Sequence, residues 1–188
     1  HQWDGIFAIG ACDKNLPGLI MGIVRCNVPG VFVHGGAALP GRHRGQDVNP
    51  VHPYETIGKV IAGQATRDDL DAVTRACLPT AGACAGQFTA NTMGMVSEAL
   101  GLAPLGSSMV PAVFSERAPM LRRAARTLMR AVMGEAPLPR DIVTRKALEN
   151  ACAIVSATGG STNSALHIPA IAHEAGIRFH LDDVAEVF

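Results

Sequence analysis

Residues 5–22 read GIFAIGACDKNLPGLIMG, and the rest of the chain is best read outward from them. Gly5–Gly10 is a short apolar run, too brief for a helix, that ends in Cys12, Asp13 and Lys14. Asn15 sits two places before Pro17, and apolar residues then recur with helical spacing through Leu19, Ile20, Met21, Ile23 and Val24. Asn ahead of a Pro at the first turn is a helix-start signal. The stretch therefore predicts strand, tight loop, helix. A soft ligand, a hard ligand and an amine stand side by side at the carboxyl end of the strand, where open α/β sheets bind ligands. The same residues also suit a capped turn around one buried cysteine.

After Cys26-Asn27-Val28-Pro29 breaks the helical pattern, Gly30–His34 (GVFVH) reads as a second buried strand. Strand, helix and strand within so short a span make a βαβ unit with a parallel pair and a right-handed crossover. The fold expected from this is α/β: a layered α/β/α domain with a mainly parallel sheet, incomplete at both ends. Residues 35–53 are rich in Gly, Pro and His and show no period, so they read as a long functional or mobile connection. Within it Arg42, His43 and Arg44 could hold an anion, but a solvated role is favoured. Helices are expected over 54–62, over 68–77 with Thr66 or Asp68 as cap, and from Phe88 to Leu100 with Gly101 closing it. Further helices are expected over 115–133, from 139 to about 156, and over 164–175 before Gly176. The arginines at 117, 122, 123, 126 and 130 read as a solvated face. No internal repeat or low-complexity linker marks a second domain.

Composition narrows the function. The 188 residues carry a formal net charge of +0 and are 48% hydrophobic, which gives no electrostatic footprint for nucleic acid or an acidic membrane. No apolar run reaches the ~18 residues of a membrane span. The chain opens at His1 without a Met or leader-like segment, and it stops at Phe188 just past Asp182–Asp183, where another helix begins. Both ends are expected to be cuts in a longer protein. Five cysteines at scattered spacing argue against a secreted disulfide framework and for a reducing, cytoplasmic setting. Cys26, Cys77 and Cys152 lie among apolar neighbours and read as packing residues. His167 and His173, six apart on the last long helix, read as structural.

Cys84 is different. It lies in AGACAG, a run of small residues just before a helix start, which repeats the logic of the Cys12 loop. Two such loops suit a shared soft metal centre, because thiolates select zinc or iron–sulfur clusters while carboxylates such as Asp13 select magnesium or manganese. Neither loop is a CxxC, which argues against a structural zinc ribbon. Protonated Lys14 would repel a cation, but a neutral lysine can take up carbon dioxide and become an anionic oxygen donor. ATGGSTN (157–163) is a Gly-rich turn before a helix, able in principle to hold an anion.

CDKNLPGLIMG (12–22), GACAGQFTANTMGMVSEALGLAPLGSS (82–108) and ATGGSTNSALHIPAIAHEAGI (157–177) together resemble the dihydroxy-acid dehydratase/6-phosphogluconate dehydratase family, in order along nearly the whole chain. The resemblance implies removal of water from 2,3-dihydroxy acids to give 2-oxo acids. It implies that Cys12 and Cys84 are two of three cysteines holding an iron–sulfur cluster, with 2Fe-2S favoured over 4Fe-4S. Asp13 then matches a magnesium ligand, and Lys14 a carbamylated lysine that also binds magnesium and serves catalysis. It further implies that residues 1–188 are part of an N-terminal, cluster- and magnesium-binding domain. The third cluster cysteine and another magnesium-ligand Asp would lie before His1. A magnesium-ligand Glu, a serine base and a β-rich C-terminal domain would follow Phe188. A fragment lacking these is expected to be inactive alone, and the full-length protein to be a homodimer. FTANTM after Cys84 resembles the dihydroxy-acid branch, acting in valine and isoleucine biosynthesis. The alternatives are a sugar-acid (aldonate or 6-phosphogluconate) dehydratase and, from another class, a non-catalytic anion-binding α/β module.

Overall fold

The computed structural model describes residues 2–188. Strand β1 (Ile6–Gly10) pairs in parallel with β2 (Gly30–His34), from Ile6 opposite Gly30 to Gly10 opposite His34. Helix α1 (Asn15–Cys26) connects them, so the expected βαβ unit is present. Side chains alternate across this small sheet as the pleat requires. Ala8 and Phe32 face the main core, whereas Phe7, Val31 and Val33 face the other way.

Each face is covered by helices. The main core forms where α1, α4 (Thr89–Ala99), α7 (Arg145–Thr158) and α8 (Ser164–Glu174) pack together, with Leu16, Ile20, Met93, Leu148, Ile168 and Ile171 fully buried. Each such side chain contributes roughly 1.5–3 kcal/mol of transfer free energy. On the opposite face α5 (Arg117–Val132) sets Met120 and Ala124 against Val31 and Val33. The result is an α/β domain with helices on both sides of a parallel pair.

Four expectations are corrected. Residues 35–53 are not without structure: β3 (Gly41–His43) and β4 (Gln46–Val48) form an antiparallel hairpin, and α2 (Val51–Ile61) starts inside that span. Hydrogen bonding across the Arg44–Gly45 turn, where both residues have positive φ, supplied the order that periodicity did not show. The helix expected from 139 to 156 is two helices, α6 (Pro139–Ile142) and α7. Thr144 divides them because its hydroxyl accepts the Ala147 N–H at 3.2 Å, which caps a new helix. Arg117 is buried, not solvated, and donates to the carbonyls of Val110 and His34. Cys26 is exposed at the end of α1, whereas Cys77 and Cys152 are buried as expected.

The remaining helices are α3 (Arg67–Ala76), closed at its start by a Thr66/Asp69 capping box, and α9 (Leu181–Val187). Arg44 pairs with Asp69 and Arg42 with Asp47, and both arginine side chains stay largely exposed, as a solvated role requires. Among the described residues no helix is long and apolar enough to cross a membrane.

Candidate functional site

The loop after β1 is held by its own side chains. Asn15 Oδ1 accepts the Cys12 N–H at 3.0 Å, and the Cys12 carbonyl accepts the Leu16 N–H as α1 begins. This leaves the Cys12 thiol exposed, 4.0 Å from Asp13 Oδ1. Asp13 and Lys14 point in related directions, with Lys14 Nζ 4.0 Å from Asp13 Oδ2 and both side chains substantially solvated.

The second loop reaches this place through backbone pairing. Gly35 N–H donates to Gly10 O at 2.6 Å, Ala83 N–H to Gly36 O at 2.8 Å, and Ala38 N–H to Ala83 O at 2.6 Å. Residues 81–84 thereby lie beside the continuation of β2, joined by a parallel bridge between Ala37 and Ala83. Gly82 makes that approach possible: at φ +130° any Cβ would stand 2.4 Å from the Ala38 nitrogen. Asn91 Nδ2 then donates to the carbonyls of Cys84 (2.9 Å) and Gly86 (2.5 Å), pinning the turn from the first part of α4.

The outcome is one cavity of about 500 Å³ whose wall includes Cys12, Asp13, Asn15, Cys84 and Thr89. Two thiols distant in sequence and one carboxylate thus share a surface. Among the described residues no group of three or more His, Cys, Asp and Glu side chains gathers as a metal site, so these three are not a closed cage.

Helix direction adds to the character of the place. Lys14 at the start of α1 meets His167 in the first turn of α8 (Nζ to Nε2, 3.3 Å), while Arg25 at the end of α1 pairs with Glu174 at the end of α8. The two helices therefore run side by side in the same direction. Thr89, the first residue of α4, bonds Ser161 Oγ (2.9 Å) and accepts from Asn163 Nδ2 (2.9 Å), and the Ser161 N–H donates to Thr92 Oγ1 (3.0 Å). The N-termini of α1 and α4 accordingly border the cavity, and the loop before α8 is bonded to α4 through Thr89. The dipoles of α1 and α4 favour negative charge there.

The ATGGSTN loop, weak evidence alone, is joined to the cavity wall through Thr89. His167, read as structural, is brought to Lys14. It falls between Ser164 and Ile171 on the packed stripe of α8, a periodicity that could have drawn attention to it. Burial, and after it the Lys14 charge, lowers the His167 pKa. Elsewhere burial pushes the Cys152 thiol up to about 11, which suits an inert core cysteine.

The family model for the N-terminal part of dihydroxy-acid/6-phosphogluconate dehydratases matches residues 1–188. The chain belongs to this family. It is 59% identical over 186 residues to dihydroxy-acid dehydratase 3 of Bradyrhizobium diazoefficiens, covering 99% of this chain and 32% of that protein. It is 58% identical over 188 residues to dihydroxy-acid dehydratase 2 of Bordetella bronchiseptica, covering 100% of this chain and 33% of that protein. A dihydroxy-acid dehydratase of Metallosphaera sedula is 49% identical over 183 residues, with 97% and 33% covered. The chain spans about a third of the length of the curated relatives it matches. For this member of the dehydratase family, the cavity between the two cysteine loops is the candidate active site.

Proposed function

We propose that this chain is part of a dihydroxy-acid dehydratase, a hydro-lyase that converts 2,3-dihydroxy carboxylic acids into 2-oxo acids in branched-chain amino-acid biosynthesis. The observation that carries the reading is the meeting of Cys12 and Cys84 on one cavity with Asp13 beside them. The names of the relatives favour this substrate over a sugar acid.

The residues suit an iron–sulfur cluster next to magnesium. Two thiols supply soft donors, and the carboxylate and an oxygen-bearing lysine supply hard ones, so the donor set divides between the two metals by chemistry. Small residues around Cys84 leave room for a bulky group. A cluster held in part by Cys12 and Cys84 would supply a Lewis acid for loss of the 3-hydroxyl, and a magnesium ion held in part by Asp13 and Lys14 would supply positive charge for the substrate's oxygens. The 2Fe-2S form is the one proposed.

The chain's own groups do the rest. Cys12 and Cys84 bind through sulfur, each fixed by backbone or Asn side-chain bonds that set the loop before any ligand arrives. Asp13 offers its carboxylate at the loop's solvent side. Lys14, when carbamylated, adds two oxygens beside Asp13. The N-termini of α1 and α4 at the cavity stabilise the negative charge of thiolates and substrate carboxylate. Further donors come from the rest of a longer, dimeric, cytoplasmic enzyme, and the 188 residues alone are inactive.

The test uses the full-length protein purified without oxygen, with Cys12→Ser and Cys84→Ser beside it. The expected result is a brown parent that forms 2-oxo acid from 2,3-dihydroxy-3-methylbutanoate, and variants that lose both iron and turnover. A parent that stays colourless and iron-free after cluster reconstitution refutes the reading and favours a binding module. Preferential turnover of an aldonate would transfer the site to sugar acids.

A further inference from the structure

We propose that His167 is a positioning residue for Lys14, holding Nζ beside Asp13 so that an oxygen-bearing lysine is presented to the cation and not to solvent. This rests on the reading of Lys14 as a carbamylated magnesium ligand.

Three observations support it. First, Lys14 is the most mobile kind of side chain in the loop, two-thirds exposed (66%), and its polar contacts are Asp13 at 4.0 Å and His167 Nε2 at 3.3 Å. The first of these is loose. A long flexible side chain left to it would sample many rotamers, and each rotamer fixed costs free energy. Second, His167 is itself placed by packing. It sits one residue from fully buried Ile168, on a helix fastened to α1 by Arg25–Glu174 at one end and to α4 by the Ser161, Asn163 and Thr89 bonds at the other. The helix that carries the imidazole is therefore set in place, with Nε2 within reach of Nζ.

Third, the contact survives the chemistry. In carbamylation the lone pair of neutral Nζ forms an N–C bond to carbon dioxide, a C=O π pair moves onto oxygen, and an N–H proton leaves to solvent. One N–H remains on Nζ. It can still donate to an imidazole nitrogen while both new oxygens are directed away from the ring. A hydrogen bond that exists before and after the modification orients the product without opposing its formation.

The experiment compares full-length parent, His167→Ala and His167→Gln, the glutamine oxygen offering an acceptor at similar reach. The proteins are equilibrated with 13C-bicarbonate for detection of the carbamate resonance. Magnesium affinity is measured by titration, and iron content serves as the control for an intact site. The expected result is that His167→Ala loses most of the carbamate signal and binds magnesium roughly tenfold more weakly, as for one well-made hydrogen bond. His167→Gln should stay within about twofold of the parent, and iron content should be equal in all three. Parental carbamate and magnesium affinity in the alanine variant overturn the proposal. Equal losses in both variants, or loss of iron with the alanine, show a merely structural residue and also overturn it. A parent without any carbamate resonance refutes the Lys14 reading itself, a result distinguishable because it precedes every variant.

Discussion

His34 makes the stability of this domain dependent on mildly acidic pH. It ends β2 with 0% exposure, its Nδ1 accepts the Gly36 N–H at 2.9 Å, and its Nε2 has no hydrogen-bond partner among the described residues. Burial, and after it the Arg117 charge from α5, pushes its pKa from 6.5 down to about 4, while Glu98 on α4 acts the other way. The unfolded chain therefore takes up a proton on His34 before the folded chain does. The stabilisation is complete above pH 6.5 and is lost as pH falls towards 4. Between pH 7 and pH 4.5 the linkage predicts a loss of about 2 kcal/mol from this residue. The assay is urea unfolding of the 188-residue chain at fixed pH values, followed by far-ultraviolet circular dichroism, for the parent and His34→Asn. Asparagine keeps an acceptor for the Gly36 N–H and removes the titration. The variant should be less stable at pH 7 because the ring leaves a void, yet its stability should change far less down to pH 4.5. Parallel curves for the two proteins across that window refute the reasoning.

Two more predictions concern the frame around the site. Gly41→Ala should destabilise the chain by about 3 kcal/mol in the same assay, because the new Cβ would lie 1.6 Å from the carbonyl oxygen of Ala76 and backbone, not a side-chain tip, must move. Arg117→Met should cost about 2 kcal/mol by leaving the carbonyls of His34 and Val110 without that donor, and it should also flatten the acid dependence, since the Arg117 charge helps depress His34.

How much could be read in advance divides along a physical line. The β1–α1–β2 unit follows from local rules: β-branched and aromatic residues in short runs, helical spacing after Asn15, a Pro in the first turn. The end of α4 at Gly101 and the Thr66 cap of α3 are equally local. The Cys12 and Cys84 loops stood out by residue type and small neighbours, and the structure brings both to one cavity. Signals for the misread elements existed but were outweighed. Thr144 is a cap residue inside an apolar pattern, and Arg117 extends the buried stripe of Met120, Ala124 and Ala131 backwards by one turn. A charged side chain on such a stripe is ordinarily at the surface, and only the carbonyls of His34 and Val110, brought up by other segments, make its burial tolerable.

By itself, the sequence determined the fold class and the three adjacent side chains after β1, which depend on the chain within a turn or two of itself, and the family, which three motifs spread along the chain carry together. Tertiary structure decided which distant groups meet. Cys84 joins Cys12 on one cavity wall only because Gly82 lets residues 81–84 run against Ala37–Ala38, and His167 reaches Lys14 only because α8 packs beside α1 in the same direction. Such contacts come from burial of apolar faces far from the site, which set helix positions. The polar side chains at their ends then meet as a consequence, with no local pattern that records it.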